Sequence, residues 1–159
     1  MTFFMKNLSK SFACIYRNKS IEFCYSFPEK RMMSSEIEKA VKAKKERNRE
    51  TIFDKVISKK IPADIIFEDN LCLAFNDVNP QAPIHFLVIP KKRILNLDDS
   101  SENDKEVLAH ILLTAKTLAQ KRLPKGYRLV INNGPDGCQS VYHLHIHILG
   151  GRQMNWPPG

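Results

Sequence analysis

A chain of 159 residues has the length of one ordinary domain, enough to bury a core without disulfides or metal staples. Its 43% hydrophobic and 26% charged content is that of a soluble globular protein, and no apolar run is long enough to span a bilayer. The formal charge of +8 suggests nucleic acid, yet residues 1–50 hold 12 Lys and Arg against 6 Asp and Glu, whereas residues 51–159 hold 13 against 11. The excess belongs to a basic lead-in, so neither a specific nucleic-acid surface nor a membrane partner is expected.

Cys14, Cys24, Cys72 and Cys138 contain no CxxC pair, which argues against a disulfide framework and for a reducing compartment. Residues 1–33 lack sustained periodicity. The first twenty hold Lys6, Lys10, Arg17 and Lys19 with no acid, in the manner of a mitochondrial transit peptide. The alternative is a disordered extension, with Met32 or Met33 opening the conventional protein. A cytoplasmic or nuclear location is expected, or a mitochondrial one if residues 1–33 direct it.

Ser35 and Glu38 have capping-box spacing, which predicts a helix over residues 36–48. Its charged faces give it little to bury, so residues 34–50 read as a frayed lead-in. Thr51 caps a short helix, 52–58, whose Ile52, Phe53, Val56 and Ile57 form one stripe, and Ile61-Pro62 ends it. Strands follow at Asp64 to Phe67, Leu71 to Phe75 and Ile84 to Ile89, the first two joined as a hairpin through Glu68-Asp69-Asn70. From Asp104 to Leu123, with Ser101 as cap, Val107, Leu108, Ile111, Leu112, Ala115, Leu118 and Ala119 keep the spacing of an amphipathic helix. His110 within it reads as a surface or boundary residue. Two last strands, Tyr127 to Asn132 and Val141 to Leu149, flank the turn-rich Asn133-Gly134-Pro135-Asp136-Gly137. The class is α+β: an antiparallel sheet of about five strands, covered on one side by one long and one short helix. The domain proper spans residues 51–159.

In a strand, Val141-Tyr142-His143-Leu144-His145-Ile146-His147-Ile148 sends three imidazoles to one face at about 7 Å intervals and Leu144, Ile146 and Ile148 to the other. No packing requirement explains the histidine face. Neighbouring imidazoles that differ in protonation supply a nucleophile and anion binders at neutral pH. A metal would need a further ligand from elsewhere, because the segment has no Cys, Asp or Glu of its own, and His85 is the histidine available. No metal and no other cofactor is expected. Gly134, Gly137 and Ser140 suit a loop that lets its backbone approach phosphate.

His143-Leu-His-Ile-His-Ile-Leu149 resembles the signature of the histidine triad (HIT) proteins. Thr51-Ile-Phe, Ile61-Pro-Ala-Asp-Ile-Ile-Phe-Glu-Asp, Pro80 to Lys92, and Gly150 to Gly159 with its Trp-Pro-Pro-Gly end are similar to the branch of histidine triad nucleotide-binding proteins. The resemblance implies a HIT-like homodimer with a continuous sheet. It also implies a purine nucleoside phosphoramidase that hydrolyses adenosine or guanosine 5'-monophosphoramidates without a required metal. His145 would be the nucleophile, and the His143 main-chain carbonyl would hold its tautomer. His147, Asn132 and Ser140 would bind phosphate oxygens beside Cys138 and Gln139, with His85 nearby. Asp77 would take the ribose hydroxyls, and Ile52, Phe53, Phe75, Val78 and Leu87 would hold the base; by residue type alone those five are core. Trp156 would reach the partner's site. The chain departs from the branch at Cys138, often a small residue there, at Arg93, a histidine in some members, and at Asn133, where an acid or small polar residue is common. A nucleotide-binding scaffold with incidental hydrolysis is the alternative reading, and dinucleoside polyphosphate hydrolysis, as in the Fhit branch, is another.

Overall fold

Five strands, β1 (Ile65–Glu68), β2 (Cys72–Asn76), β3 (Ile84–Pro90), β4 (Tyr127–Val130) and β5 (Ile146–Gly150), pair antiparallel in the order β1-β2-β3-β5-β4. They are seen in a computed structural model that describes residues 35–158, so the reading of residues 1–33 lies outside the described residues. The helices are α1 (Ser35–Lys45), α2 (Ile52–Ile57) and α3 (Lys105–Arg122), the last entered through a 3-10 turn at Glu102–Asp104. No described helix is long and apolar enough to cross a membrane.

Both faces of the sheet are covered, not one. Cys72, Ala74, Phe86, Val88, Ile146 and Ile148 pack with Val107, Ile111, Ala115 and Ala119 of α3. The intervening Leu73, Phe75, Leu87 and Ile89 pack with Phe53 and Val56 of α2. A strand buried on both faces loses its apolar and polar alternation, which is why β2 and β3 read as continuous hydrophobic runs. Leu112, expected on the inner stripe of α3, is 49% exposed.

Thr51 caps α2 as expected, its hydroxyl accepting from the Asp54 N–H while the Asp54 carboxylate accepts from the Thr51 N–H at 2.7 Å. The helix fixed by this box carries Phe53 toward the histidines. α1 runs Ser35–Lys45, against the expected residues 36–48. Nor is α1 only a lead-in: Ala40 is fully buried, and Arg47 just beyond the helix makes a two-point ion pair with Asp99, at 3.1 and 2.9 Å.

The last strand is shorter than expected and starts at Ile146, not Val141. Upstream of it the chain runs beside the segment after β3: the Leu144 N–H donates to the Ile94 carbonyl at 2.6 Å, and the His143 ring bonds the Pro90 carbonyl at 2.8 Å. The alternation nevertheless survives. Leu144 joins the α3-side core, and His143 and His145 face Phe53.

Candidate active site

Strand register sets the imidazole cluster. Leu87 pairs with His147 and His85 with Leu149, so His85 and His147 are diagonal neighbours on the face away from α3. Their rings lie 5.1 Å apart, and those of His145 and His147 meet edge to face at 4.8 Å, closer than the spacing of a flat strand.

Hydrogen bonds assign the ring protons. His145 Nδ1 lies 2.7 Å from the His143 carbonyl, which can only accept, so Nδ1 carries the hydrogen and Nε2 keeps a free lone pair. The Gln81 N–H donates to His85 Nδ1 at 3.2 Å, which puts the His85 hydrogen on Nε2. That Nε2–H donates to His147 Nδ1 at 2.9 Å, leaving the His147 hydrogen on Nε2. Neighbouring rings are therefore held in opposite tautomers, His145 with a nucleophilic Nε2 and His147 with a donor Nε2–H.

Burial keeps these rings neutral. It pushes the His145 pKa down against the opposing pull of the His143 carbonyl. It brings His147 down to about 3, aided by His145 and His85, and lowers His85 against the attraction of Asp77. Asp77 lies 3.5 Å from His85 Nε2 and 4.0 Å from His147 Nδ1, and its other oxygen accepts from the Asn79 N–H at 2.8 Å. Asp77, His85 and His147 thus present ligand atoms within 4.8 Å of one another. His85 is the further histidine expected for a metal, whereas Asp77, on the loop after β2, is expected at the ribose hydroxyls and not beside the imidazoles.

A cavity of about 980 Å³ opens over this cluster. Phe53, Phe75, Leu87, Asp77, His85, Asn132, Cys138, Ser140, His145 and His147 line it. So do Ile52 and Val78, but these are 53% and 98% exposed, rim residues and not the core that residue type suggests. Three expected residues fall elsewhere. His143 is fully buried behind His145. Trp156 is 85% exposed and does not line the cavity of its own chain. Gln139 is fully buried, its amide bonded to the Leu95 and Val141 carbonyls and to the Gly134 N–H. Its part is to brace the loop from behind. Cys138 adopts a left-handed φ of 59°, a conformation that glycine takes without steric cost. Glu36, Lys39 and Glu46, from α1 and the turn after it, add a charged wall that the sequence reading did not assign.

A profile of the HIT domain matches residues 58–154. The chain belongs to the HIT family. It is 60% identical to an uncharacterised HIT-like protein of Synechococcus elongatus over 111 residues, covering 69% of this chain and 97% of that one. The adenylylsulfatase HINT1 of Arabidopsis thaliana is 51% identical over 135 residues, 83% of this chain and 91% of the relative. A HIT family hydrolase from Legionella pneumophila superposes with a TM-score of 0.67 at 52% identity, covering 69% of this chain and all of that one. The HIT-like fold and hydrolase class expected from the triad stand on these likenesses.

One carboxylate of this HIT site was not legible in the sequence. Asp54 Oδ1 lies 3.3 Å from His143 Nδ1, so the buried ring sits between a carboxylate and the Pro90 carbonyl. Burial works to raise the Asp54 pKa, but the Thr51 N–H and hydroxyl, His143 and Arg93 together bring it below the ordinary value. Arg93, 3.6 Å from Asp54, also bonds the Arg49 carbonyl at 2.5 Å. The departure at Arg93 thus supplies a charge that helps keep Asp54 ionised.

Proposed function

We propose that this protein hydrolyses purine nucleoside 5'-monophosphoramidates to the nucleoside monophosphate and an amine, through a nucleotide bound covalently to His145. The observation that carries the reading is the neutral His145 ring, buried and tethered at Nδ1 by the His143 carbonyl. An imidazole fixed in that tautomer needs no base to become a nucleophile. His145 Nε2 bonds to phosphorus as the P–N bond breaks, and the amine leaves neutral from its N-protonated form. Water then bonds to phosphorus, the bond to His145 breaks with its electron pair returning to Nε2, and the water releases one proton. The His147 Nε2–H and the Asn132 and Ser140 donors face charge that grows on the phosphate oxygens in both steps. In this reading Asp77 takes the ribose hydroxyls, and Phe53, Phe75 and Leu87 hold the base.

The reading is tested by turnover of adenosine 5'-monophosphoramidate in excess chelator. Turnover should persist, since no step runs through a metal; tight binding of adenosine monophosphate without turnover would instead favour the scaffold reading. The Arabidopsis relative is named an adenylylsulfatase, so adenylyl sulfate is the informative second substrate.

The lowered His145 and His147 pKa values set an expected pH dependence. Protonating His145 removes its lone pair, and a depressed pKa postpones that loss to lower pH. The plateau of kcat/KM should extend on the acid side below 6.5, the ordinary imidazole value. A midpoint at or above it, once the substrate's own titration is subtracted, would contradict the burial argument.

A homodimer with a continuous sheet is part of the same proposal. Among the described residues β4 is an edge strand paired only with β5, and exposed Leu112, Leu113 and Ile131 offer apolar surface to a second copy. Trp156 would then reach the partner's cavity. Deleting residues 155–159 should change the ratio of kcat/KM between two amine leaving groups while the fold remains; an unchanged ratio counts against this contact.

A further inference from the structure

On the opposite face of the sheet from the histidine cavity, three side chains that ligate metals converge from elements distant in sequence. Asp69 lies in the β1–β2 turn, Cys72 opens β2, and His110 sits on α3. One ligand atom from each lies within 4.8 Å of the other two. Asp69 Oδ1 accepts the Leu71 and Cys72 N–H groups at 2.8 Å each, which fixes the carboxylate and turns Oδ2 toward His110 Nε2, 2.6 Å away. Cys72 forms the floor. It is fully buried; its thiol meets the Thr114 hydroxyl at 3.8 Å, with the Asp69 and His110 ligand atoms within 4.8 Å of the sulfur. The Asp69 and His110 side chains are 28% and 35% exposed, so the approach from solvent is across oxygen and nitrogen toward sulfur.

We propose that Asp69, Cys72 and His110 form a binding site for a divalent transition-metal ion of the zinc class, separate from the hydrolytic centre. The donor set selects the class, because calcium and magnesium take oxygen ligands, whereas thiolate with imidazole suits zinc and cobalt. Three protein ligands leave a fourth position for water. Glu106 is a second source for that position: it is one turn before His110 on α3 and lines a hollow with Asn70 and Leu71 of the hairpin.

Protons balance without any co-reactant. The metal displaces the Cys72 thiol proton to solvent, and the His110 ring proton passes from Nε2 to Nδ1 as Nε2 turns to the metal. Because binding releases the Cys72 thiol proton, affinity should rise with pH. A bound ion would tie α3 to the β1–β2 hairpin, adding to the His110–Asp69 bond, the Cys72–Thr114 contact and the core packing that join them.

Cobalt(II) is the probe, because only a thiolate ligand gives a sulfur-to-cobalt charge-transfer band. The protein is the full chain with Cys14, Cys24 and Cys138 replaced by Ser. One equivalent of cobalt should produce the band, and zinc should abolish it by displacement. Adding His110→Ala should weaken cobalt binding by more than the roughly 10- to 100-fold that losing a supporting residue costs a metal site. Zinc should raise the Tm of the parent but not of His110→Ala, and phosphoramidate turnover should be the same in both. The proposal is overturned if saturating cobalt gives no charge-transfer band, or if the band keeps its affinity in His110→Ala. Cobalt bound with visible bands alone would place the ion at Asp77, His85 and His147, and that too overturns it.

Discussion

His145→Ala is expected to lose on the order of 10³-fold or more in kcat while nucleotide affinity changes little. The ring contributes the attacking lone pair, and no neighbour can replace it. His147 holds its hydrogen on Nε2 and the lone pair of Nδ1 is occupied by His85, while His143 is buried with both nitrogens facing oxygens. The donors that neutralise phosphate charge remain in the variant, so binding and chemistry should come apart. His143→Ala and His147→Ala should show intermediate losses, the first by loosening the tautomer lock, the second by removing a donor. Rapid quench of the wild-type protein with labelled substrate should trap acid-labile label on His145. Label on His147 or His85, or near-normal turnover by His145→Ala, would remove His145 from the role given to it.

Gly137→Ala should cost about 10²-fold in kcat/KM, the order expected when a reacting group moves by about 1 Å. A Cβ at Gly137 would lie 2.5 Å from the Asn133 carbonyl oxygen and 2.9 Å from its nitrogen. Both are backbone atoms, so no side-chain rotation relieves the clash and the loop carrying Cys138, Gln139 and Ser140 has to shift. Gly134→Ala is the control. Its φ of +68° makes a side chain costly by about 1–2 kcal/mol, but nothing lies within 4 Å of the new Cβ. Gly134→Ala should lower Tm with kcat/KM largely kept, whereas Gly137→Ala should lose kcat/KM well beyond what its own loss of Tm explains. Near wild-type kcat/KM in Gly137→Ala would mean that the loop does not hold the phosphate.

The features legible in the sequence were local ones. The Thr51 cap, the α3 stripe and the alternation of His143, His145 and His147 with Leu144, Ile146 and Ile148 depend on residues a few positions apart. What escaped depends on contacts between distant residues. Asp54 meets His143 across 89 positions, and nothing near Thr51 marks it as more than a capping residue. The resemblance marks Asp77 for the ribose hydroxyls, but nothing local shows that one of its oxygens faces His85 and His147 while the other accepts from the Asn79 N–H. The expectation of a one-sided sheet failed for a related reason, since a six-residue helix is short but its Phe53 and Val56 suffice to close the second face. Strand-like alternation also outran the strand itself, because residues 143 and 144 bond to Pro90 and Ile94 outside the ladder.

The strand that delivers His147 makes the molecule unusually intolerant of a change in chain length just before it. Ile146 and Ile148 enter one core while His147 enters the cavity, so a slip of one residue would exchange every isoleucine for an imidazole. A deletion between Asn133 and Ser140 would impose such a slip or tear the Gln139 brace from the Leu95 and Val141 carbonyls. A one-residue deletion in this loop should therefore cost both the core packing of Ile146 and Ile148 and the entry of His147 into the cavity.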